Sequence, residues 1–218
     1  MIKIKRFPFN DFQVNTYVVY DNTKECIIFD PGMYYENERN EFIQFISEND
    51  LKPVLLVNTH AHIDHIIAND FVTKKYGIKL AAHEESQDFL KHAKEYGKNF
   101  GIEIEDIKPI DIFINEKDTL NFGDSELQIL YTPGHADGSL CFYTKEAEFV
   151  ITGDVLFFQS IGRTDLPTGN YDLLQESIWE KLFVLPEKTT VYPGHGPETT
   201  IGYEKLHNPF VAIGKDLL

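Results

Sequence analysis

Seven residues, Thr59 to His65 (THAHIDH), carry three histidines and one aspartate close behind the apolar run Pro53 to Val57. Imidazole nitrogens and a carboxylate oxygen at such spacing suit zinc or another borderline first-row metal. The alternative is a polar loop that happens to be rich in histidine. Against it, five of the eight histidines lie either here or in two later Pro-Gly-His tripeptides, which end at His135 and His195. That clustering is what metal ligation asks for.

Three further stretches share one layout: an apolar run, a turn-forming glycine or proline, then a ligand-type side chain. They are Ile129 to His135, Phe149 to Asp154 and Thr189 to His195. A Pro-Gly-His turn alone is usually only a turn, and Thr-Gly-Asp says less. Their joint occurrence with THAHIDH points to one site where several strands end on the same edge. His60 and His62, two apart in an extended loop, face one side. Asp64 and His65 open a helix and turn toward a neighbouring position, so one loop feeds two metals. Asp30, at a strand end before Pro31 and Gly32, either fixes a ligating histidine through its other nitrogen or caps its own turn.

The elements that must hold these residues alternate. Strands are expected at Ile2 to Phe7, Val14 to Tyr20, Cys26 to Phe29, Pro53 to Val57 and Ile78 to Ala82. Helical spacing marks Glu36 to Asn49, Asp64 to Tyr76 closed by Gly77, and Glu84 to Tyr96 closed by Gly97. Short strands follow at Ile110 to Ile114, Thr119 to Phe122, Leu127 to Tyr131, Leu140 to Tyr143 and Phe149 to Thr152. A helix over Leu173 to Leu182, a strand over Thr189 to Tyr192 and a helical turn over Gly202 to Leu206 complete the chain. Strand-rich blocks alternating with single helices in both halves suggest two packed sheets with helices outside, an α/β (α+β) architecture.

Composition narrows the function classes. At 218 residues, 42% hydrophobic and 25% charged, the chain reads as one soluble globular domain, residues 1–218. Its apolar runs are too short to cross a bilayer, and Pro8, Asn10, Asp11 and Gln13 interrupt any signal-peptide core. Two cysteines, Cys26 and Cys141, are too few for a disulfide framework, which argues for a reducing cytoplasm. Each reads as a small core hydrophobe rather than a reactive thiol. A net charge of -15 disfavours nucleic acid as partner, because phosphate binding needs clustered Lys and Arg.

The order HxHxDH, then H, then D, then H resembles the metallo-β-lactamase superfamily over nearly the whole chain. The resemblance implies a four-layer αββα sandwich with the site at one edge between the sheets. It implies that His60, His62 and His135 hold one divalent metal and Asp64, His65 and His195 a second. Asp154 would bridge them, and Asp64 and Asp154 would be the catalytic carboxylates. Zinc is the metal expected, with iron or manganese as alternatives.

Two such ions, about 3.5 to 4 Å apart, lower the pKa of a shared water toward about 7, giving a hydroxide nucleophile at neutral pH. No serine or cysteine nucleophile is then required, and Ser139 and Cys141 read as strand residues. Within the superfamily, Gly162 to Leu174 and Pro193 to Phe210 look like the short bacterial relatives of hydroxyacylglutathione hydrolase, glyoxalase II. The resemblance implies hydrolysis of S-acyl thioesters such as S-lactoylglutathione. The full enzymes carry a C-terminal helical domain whose basic residues hold glutathione, and this chain stops at Leu218. Glutathione as the thiol half therefore stays open.

Arg163 and Asp165 fall in the loop after Asp154, where Arg163 either meets a substrate carboxylate or is braced by Asp165. Phe158 and Tyr171 are expected in the core, with a pocket wall as the alternative. His83, His92 and His207 match no ligand motif. The chief rival function is a persulfide dioxygenase with one iron on His60, His135 and Asp154. A lactonase or other ester hydrolase, and a metal-dependent binding module without turnover, complete the alternatives. A β-lactamase proper fits poorly with the missing secretion signal.

Overall fold

The computed structural model describes residues 1–104 and 106–212, so 213–218 of the expected domain lie outside the described residues. Two six-stranded sheets face each other. The first runs in the order β1 (Lys3–Phe9), β2 (Val14–Tyr20), β3 (Glu25–Phe29), β4 (Lys52–Val57), β5 (Lys79–Ala82) and β6 (Ile112–Phe113). The second comprises β7 (Thr119–Phe122), β8 (Ser125–Tyr131), β9 (Leu140–Thr144), β10 (Phe149–Gly153), β13 (Thr190–Pro193) and β14 (Thr199–Thr200), in the order β14-β13-β10-β9-β8-β7. A two-stranded hairpin, β11 (Leu156–Phe157) with β12 (Ser160–Ile161), stands apart.

The alternation of side chains sorts each strand between two apolar layers. Tyr17, Val19, Ile27 and Phe29 of the first sheet meet Leu127, Ile129, Phe142 and Ile151 of the second in the central core. The Phe29 and Phe142 rings lie 5.0 Å apart across that interface. The intervening residues Val18, Cys26, Ile28 and Leu56 pack outward under α1 (Glu36–Glu48) and α3 (Asn69–Tyr76). Cys141, Val150 and Val191 pack outward under α5 (Tyr171–Ser177) and α6 (Ile201–His207). The result is the four-layer αββα sandwich. Both cysteines are buried, and burial pushes each thiol up to about 12.

Several boundaries depart from the sequence expectation for local reasons. The helix expected over Asp64 to Tyr76 is two pieces, α2 (Ile63–Ile66) and α3. Between them the Ala68 N–H donates to the Pro31 carbonyl at 2.9 Å, outside the helical ladder. A reciprocal amide pair, Asn69 with Asn58 at 2.7 and 3.2 Å, then clamps the start of α3 to the end of β4. Gly97 does not end its helix. It lies within α4 (Ser86–Asn99), where a Cβ would stand 2.7 Å from the Ile102 carbonyl oxygen, and the left-handed residue that follows the helix is Gly101 at φ +72°. Only Ile112 and Phe113 of the expected Ile110 to Ile114 strand pair with β5. The helix expected over Leu173 to Leu182 starts at Tyr171, capped by the Asn170 side chain, and turns π-helical over Ile178–Leu182. Phe158 and Tyr171 are exposed rather than core residues.

At the end of β2 the two sheets are joined by a polar clasp. Asp21, 4% exposed, accepts from the Thr23 N–H and hydroxyl, the Asp124 N–H and the Ser125 hydroxyl. Burial alone would raise its carboxyl, but these donors hold it below the usual range. Asp21→Ala should lower stability by about 2 to 4 kcal/mol, read from the shift of the denaturation midpoint. The contribution is fully present above the unfolded-state value of about 4 and is lost as pH falls through the lower folded value. The gap between wild type and Asp21→Ala should accordingly narrow at strongly acid pH.

Candidate metal centre

β3 and β4 run parallel in one sheet, and β8, β10 and β13 share one direction in the other. Their C-terminal ends lie on one edge of the sandwich. Asp30 follows β3; His60, His62, Asp64 and His65 follow β4; His135 follows β8; Asp154 follows β10; His195 follows β13. The N-cap position of α2 is His62, in an extended conformation, so the chain leaves the loop and enters the helix between His62 and Asp64.

The seven side chains converge in three overlapping groups: His60, His62 and His135; His60, His65 and Asp154; and Asp64, His65 and His195. Within each group the donor atoms lie within 4.8 Å of one another. His62 Nδ1 sits 3.2 Å from His60 Nε2 and 2.9 Å from His135 Nε2. His195 Nε2 lies 3.1 Å from Asp64 Oδ2 and 3.6 Å from Asp154 Oδ2. His65 Nε2 lies 3.3 Å from Asp154 Oδ1 without the alignment of a hydrogen bond, and both atoms are buried with no partner. Buried polar atoms are ordinarily satisfied, and two orphans facing one centre are what a bound cation would satisfy. The donor set of imidazoles and carboxylates fits that group.

The outer nitrogens are held. His65 Nδ1 lies 3.0 Å from Asp30 Oδ2, His135 Nδ1 lies 2.8 Å from the Arg163 carbonyl oxygen, and His195 Nδ1 lies 2.9 Å from the Phe12 carbonyl oxygen. A ring that donates through Nδ1 presents a bare Nε2 lone pair inward. Burial lowers the pKa of His60, His62 and His135, that of His62 to about 3, which keeps these rings neutral and able to ligate. Burial acts the same way on His65 and His195, but neighbouring carboxylates outweigh it, Asp64, Asp154 and Asp30 at His65 and Asp64 and Asp154 at His195, and raise both. Asp154, which burial would raise, is held well below the usual carboxylate range by His65, His195 and His60.

Backbone detail serves the same geometry. Asp30 is in the left-handed region at φ +46° and accepts the Thr59 N–H at 2.8 Å and the Thr59 hydroxyl at 2.7 Å, so one carboxylate ties the β4 loop to His65. Gly194 is a close-approach position, since a Cβ there would collide with Asp154 Oδ1 and the His65 ring. Sequence reasoning missed the supports of the His195 loop. The Asn15 amide donates to the carbonyls of Pro193 and Gly196, both at 2.9 Å, and the Tyr17 hydroxyl donates to Pro193 at 2.6 Å. These residues lie in β2 far from any ligand motif, and only the fold brings them there.

Arg163 and Asp165 are joined by two hydrogen bonds of 2.7 Å, Nε to Oδ1 and Nη2 to Oδ2. Beside the cluster opens a cavity of about 600 Å³, walled by Phe89, Ala93, Tyr96 and Phe100 on one side and by Phe157 and Leu166 among others. Phe158 and Tyr171 are not among its walls. His83 stacks on Tyr131, and His92 and His207 are exposed.

The model of the metallo-beta-lactamase superfamily matches residues 9–195. This chain belongs to the metallo-beta-lactamase superfamily. Similar curated proteins include the probable metallo-hydrolase YqgX of Bacillus subtilis, 43% identical, and the hydroxyacylglutathione hydrolase GloC of Haemophilus influenzae, 36% identical. Each alignment covers 96% of this chain and 98% of the relative. Among solved structures, BLEG-1 B3 metallo-beta-lactamase superposes with a TM-score of 0.88 at 38% identity, covering 96% of this chain and 99% of that one. TTHA1623 in a di-iron-bound form gives 0.84 at 31%, covering 94% and 99%. ETHE1 from Myxococcus xanthus gives 0.77 at 28%, covering 96% and 84%. The superfamily is metal-dependent, and the His and Asp groups assembled here could bind metal. No helix among the described residues is long and apolar enough to cross a membrane.

Asp30 touches the centre only through His65 and Thr59. Asp30→Ala should therefore weaken metal binding by roughly 10- to 100-fold while the other donors remain, measured by competition with a chromophoric chelator.

Proposed function

We propose that the chain is a binuclear metallohydrolase that cleaves S-acyl thioesters, as the likeness to the hydroxyacylglutathione hydrolase GloC suggests. The observation that carries the reading is the convergence of seven donor side chains in overlapping groups, with two buried orphan atoms between them. His60, His62 and His135 would hold one ion and Asp64, His65 and His195 the other, with Asp154 between. Two bound dications supply a water ionised near neutral pH and positive charge for a developing oxyanion.

The chain's own residues do the rest. Asp30, Arg163 and Phe12 orient three imidazoles, and an aromatic wall stands beside them. The nearby alternatives to an activated water are disarmed. The Ser139 hydroxyl donates to the Ala136 carbonyl at 2.6 Å, and the Cys141 thiol is buried and pushed up to about 12. A thiolate, with a conjugate acid near about pKa 8.5, leaves with little help from a general acid. That favours a thioester over an amide at a centre built from ligands.

The second reading, a persulfide dioxygenase with a single iron on His60, His135 and Asp154, is the one that the ETHE1 likeness fits, more weakly. A lactone or carboxylic ester is a further substrate for the same centre. Metal content and a small substrate panel separate these readings. Protein purified without added metal and then reconstituted should hold two divalent ions per chain and hydrolyse thioesters, followed by the loss of absorbance. Chelation should abolish turnover, and added metal should restore it. Iron near one per chain, with oxygen consumed on glutathione persulfide, would overturn the hydrolase reading. Asp154→Asn should cost roughly 1,000-fold or more in kcat/KM on thioesters, and full activity in that variant would end the assignment.

A further inference from the structure

We infer, resting on the thioesterase reading, that the substrate is an uncharged thioester with an apolar arm, which lies in the cavity beside the ligand cluster. Phe89, Ala93, Tyr96 and Phe100 are spaced by four, three and four residues along α4 and its C-terminal end, so they form one stripe. All four line the cavity, whereas Lys91, Glu95 and Lys98 of the same helix are exposed. The stripe begins at the centre itself, where the Phe89 ring meets the His62 ring edge-on at 5.3 Å. It ends at solvent, where Phe100 is 53% exposed and packs edge-to-face at 6.0 Å on Phe12, 38% exposed. Mostly apolar side chains thus line the way from the ligands to the mouth.

The side chains of these walls offer little to a polyanion. Apart from the histidines, Arg163 is the only cationic residue among the described residues that line the cavity, and its Nε–Nη2 edge is taken by Asp165. Glutathione brings two carboxylates and one ammonium into a chain of net charge -15, where the one guanidinium on the described walls is already paired with Asp165. An aliphatic chain of medium length instead gains about fourfold in affinity for each methylene it buries. A volume of about 600 Å³ lies within the range that encloses a ligand of that size.

The test crosses the two halves of the substrate on the metal-loaded full chain. Acetyl and hexanoyl thioesters of N-acetylcysteamine, a neutral thiol, are compared with the same acyl groups on glutathione. Hexanoyl should exceed acetyl by at least about 10-fold in kcat/KM, and the neutral thiol should exceed glutathione by a similar factor. Phe100→Ser, at a half-exposed position, should shrink the hexanoyl-to-acetyl ratio mainly through KM, and Phe100→Leu should keep most of it. A calorimetric titration with the S-hexyl thioethers of both thiols gives a readout without turnover, and the neutral one should bind at least 10-fold more tightly. Thioesterase activity with no acyl-chain preference, or with glutathione preferred, overturns this inference and leaves the thioesterase reading standing. If no thioester is turned over, that reading fails by itself and the titration decides here, tighter binding of the S-hexylglutathione thioether overturning an apolar, uncharged ligand.

Discussion

The structure depends on gathering seven polar side chains, three of them almost fully buried, at one edge of an apolar sandwich. Desolvating imidazoles and carboxylates is unfavourable unless partners replace the lost water. The chain supplies those partners only on the outer side: the Asp30 carboxylate, the Arg163 carbonyl and the Phe12 carbonyl. On the inner side the donor atoms face one another, and His65 Nε2 and Asp154 Oδ1, 3.3 Å apart, make no aligned hydrogen bond. Strand direction makes such a concentration attainable, because β3, β4, β8, β10 and β13 all deliver their last residues to the same edge.

How far the sequence revealed this follows from the range of each interaction. The ligand motifs were legible because each couples a run of strand-forming residues to a turn and a donor, a pattern contained within seven residues. The layers were legible because strands buried on both faces and helices buried on one leave different periodicities. Breaks caused by distant partners were not legible. Ala68 leaves the helical ladder because Pro31 is within reach, and Gly97 stays helical because Ile102 folds back against it. Asn15 and Tyr17 look like ordinary members of β2, and their contacts with the His195 loop exist only once the two sheets face each other. The two-residue strands β11, β12 and β14 are too short to carry a periodic signal.

The cavity divides the labour between two kinds of residue. Reactivity resides at strand ends, where positions are set by ladders on both sides and small displacements are resisted. On the proposed reading selectivity resides on α4 and the Phe12 segment, whose side chains line the cavity beside the centre. One residue serves both, since the Phe12 carbonyl holds His195 and its ring forms part of the mouth. Superfamily members that share the ligand pattern are thus free to differ in what they accept through the wall alone.

The Asp21 clasp lies where β2 ends, whereas the donor cluster lies where β3 and β4 end, at the opposite end of the antiparallel β2-β3 pair. The two sheets are therefore fastened like a book with a spine and a lock. Asp21 is the spine, a set of hydrogen bonds made by the chain's own groups. The lock would be closed by ions that join a loop of one sheet to strand ends of the other. An ion bound there would do mechanical as well as chemical duty, adding to the Asn15 and Tyr17 hydrogen bonds that already tie the His195 loop of one plate to β2 of the other.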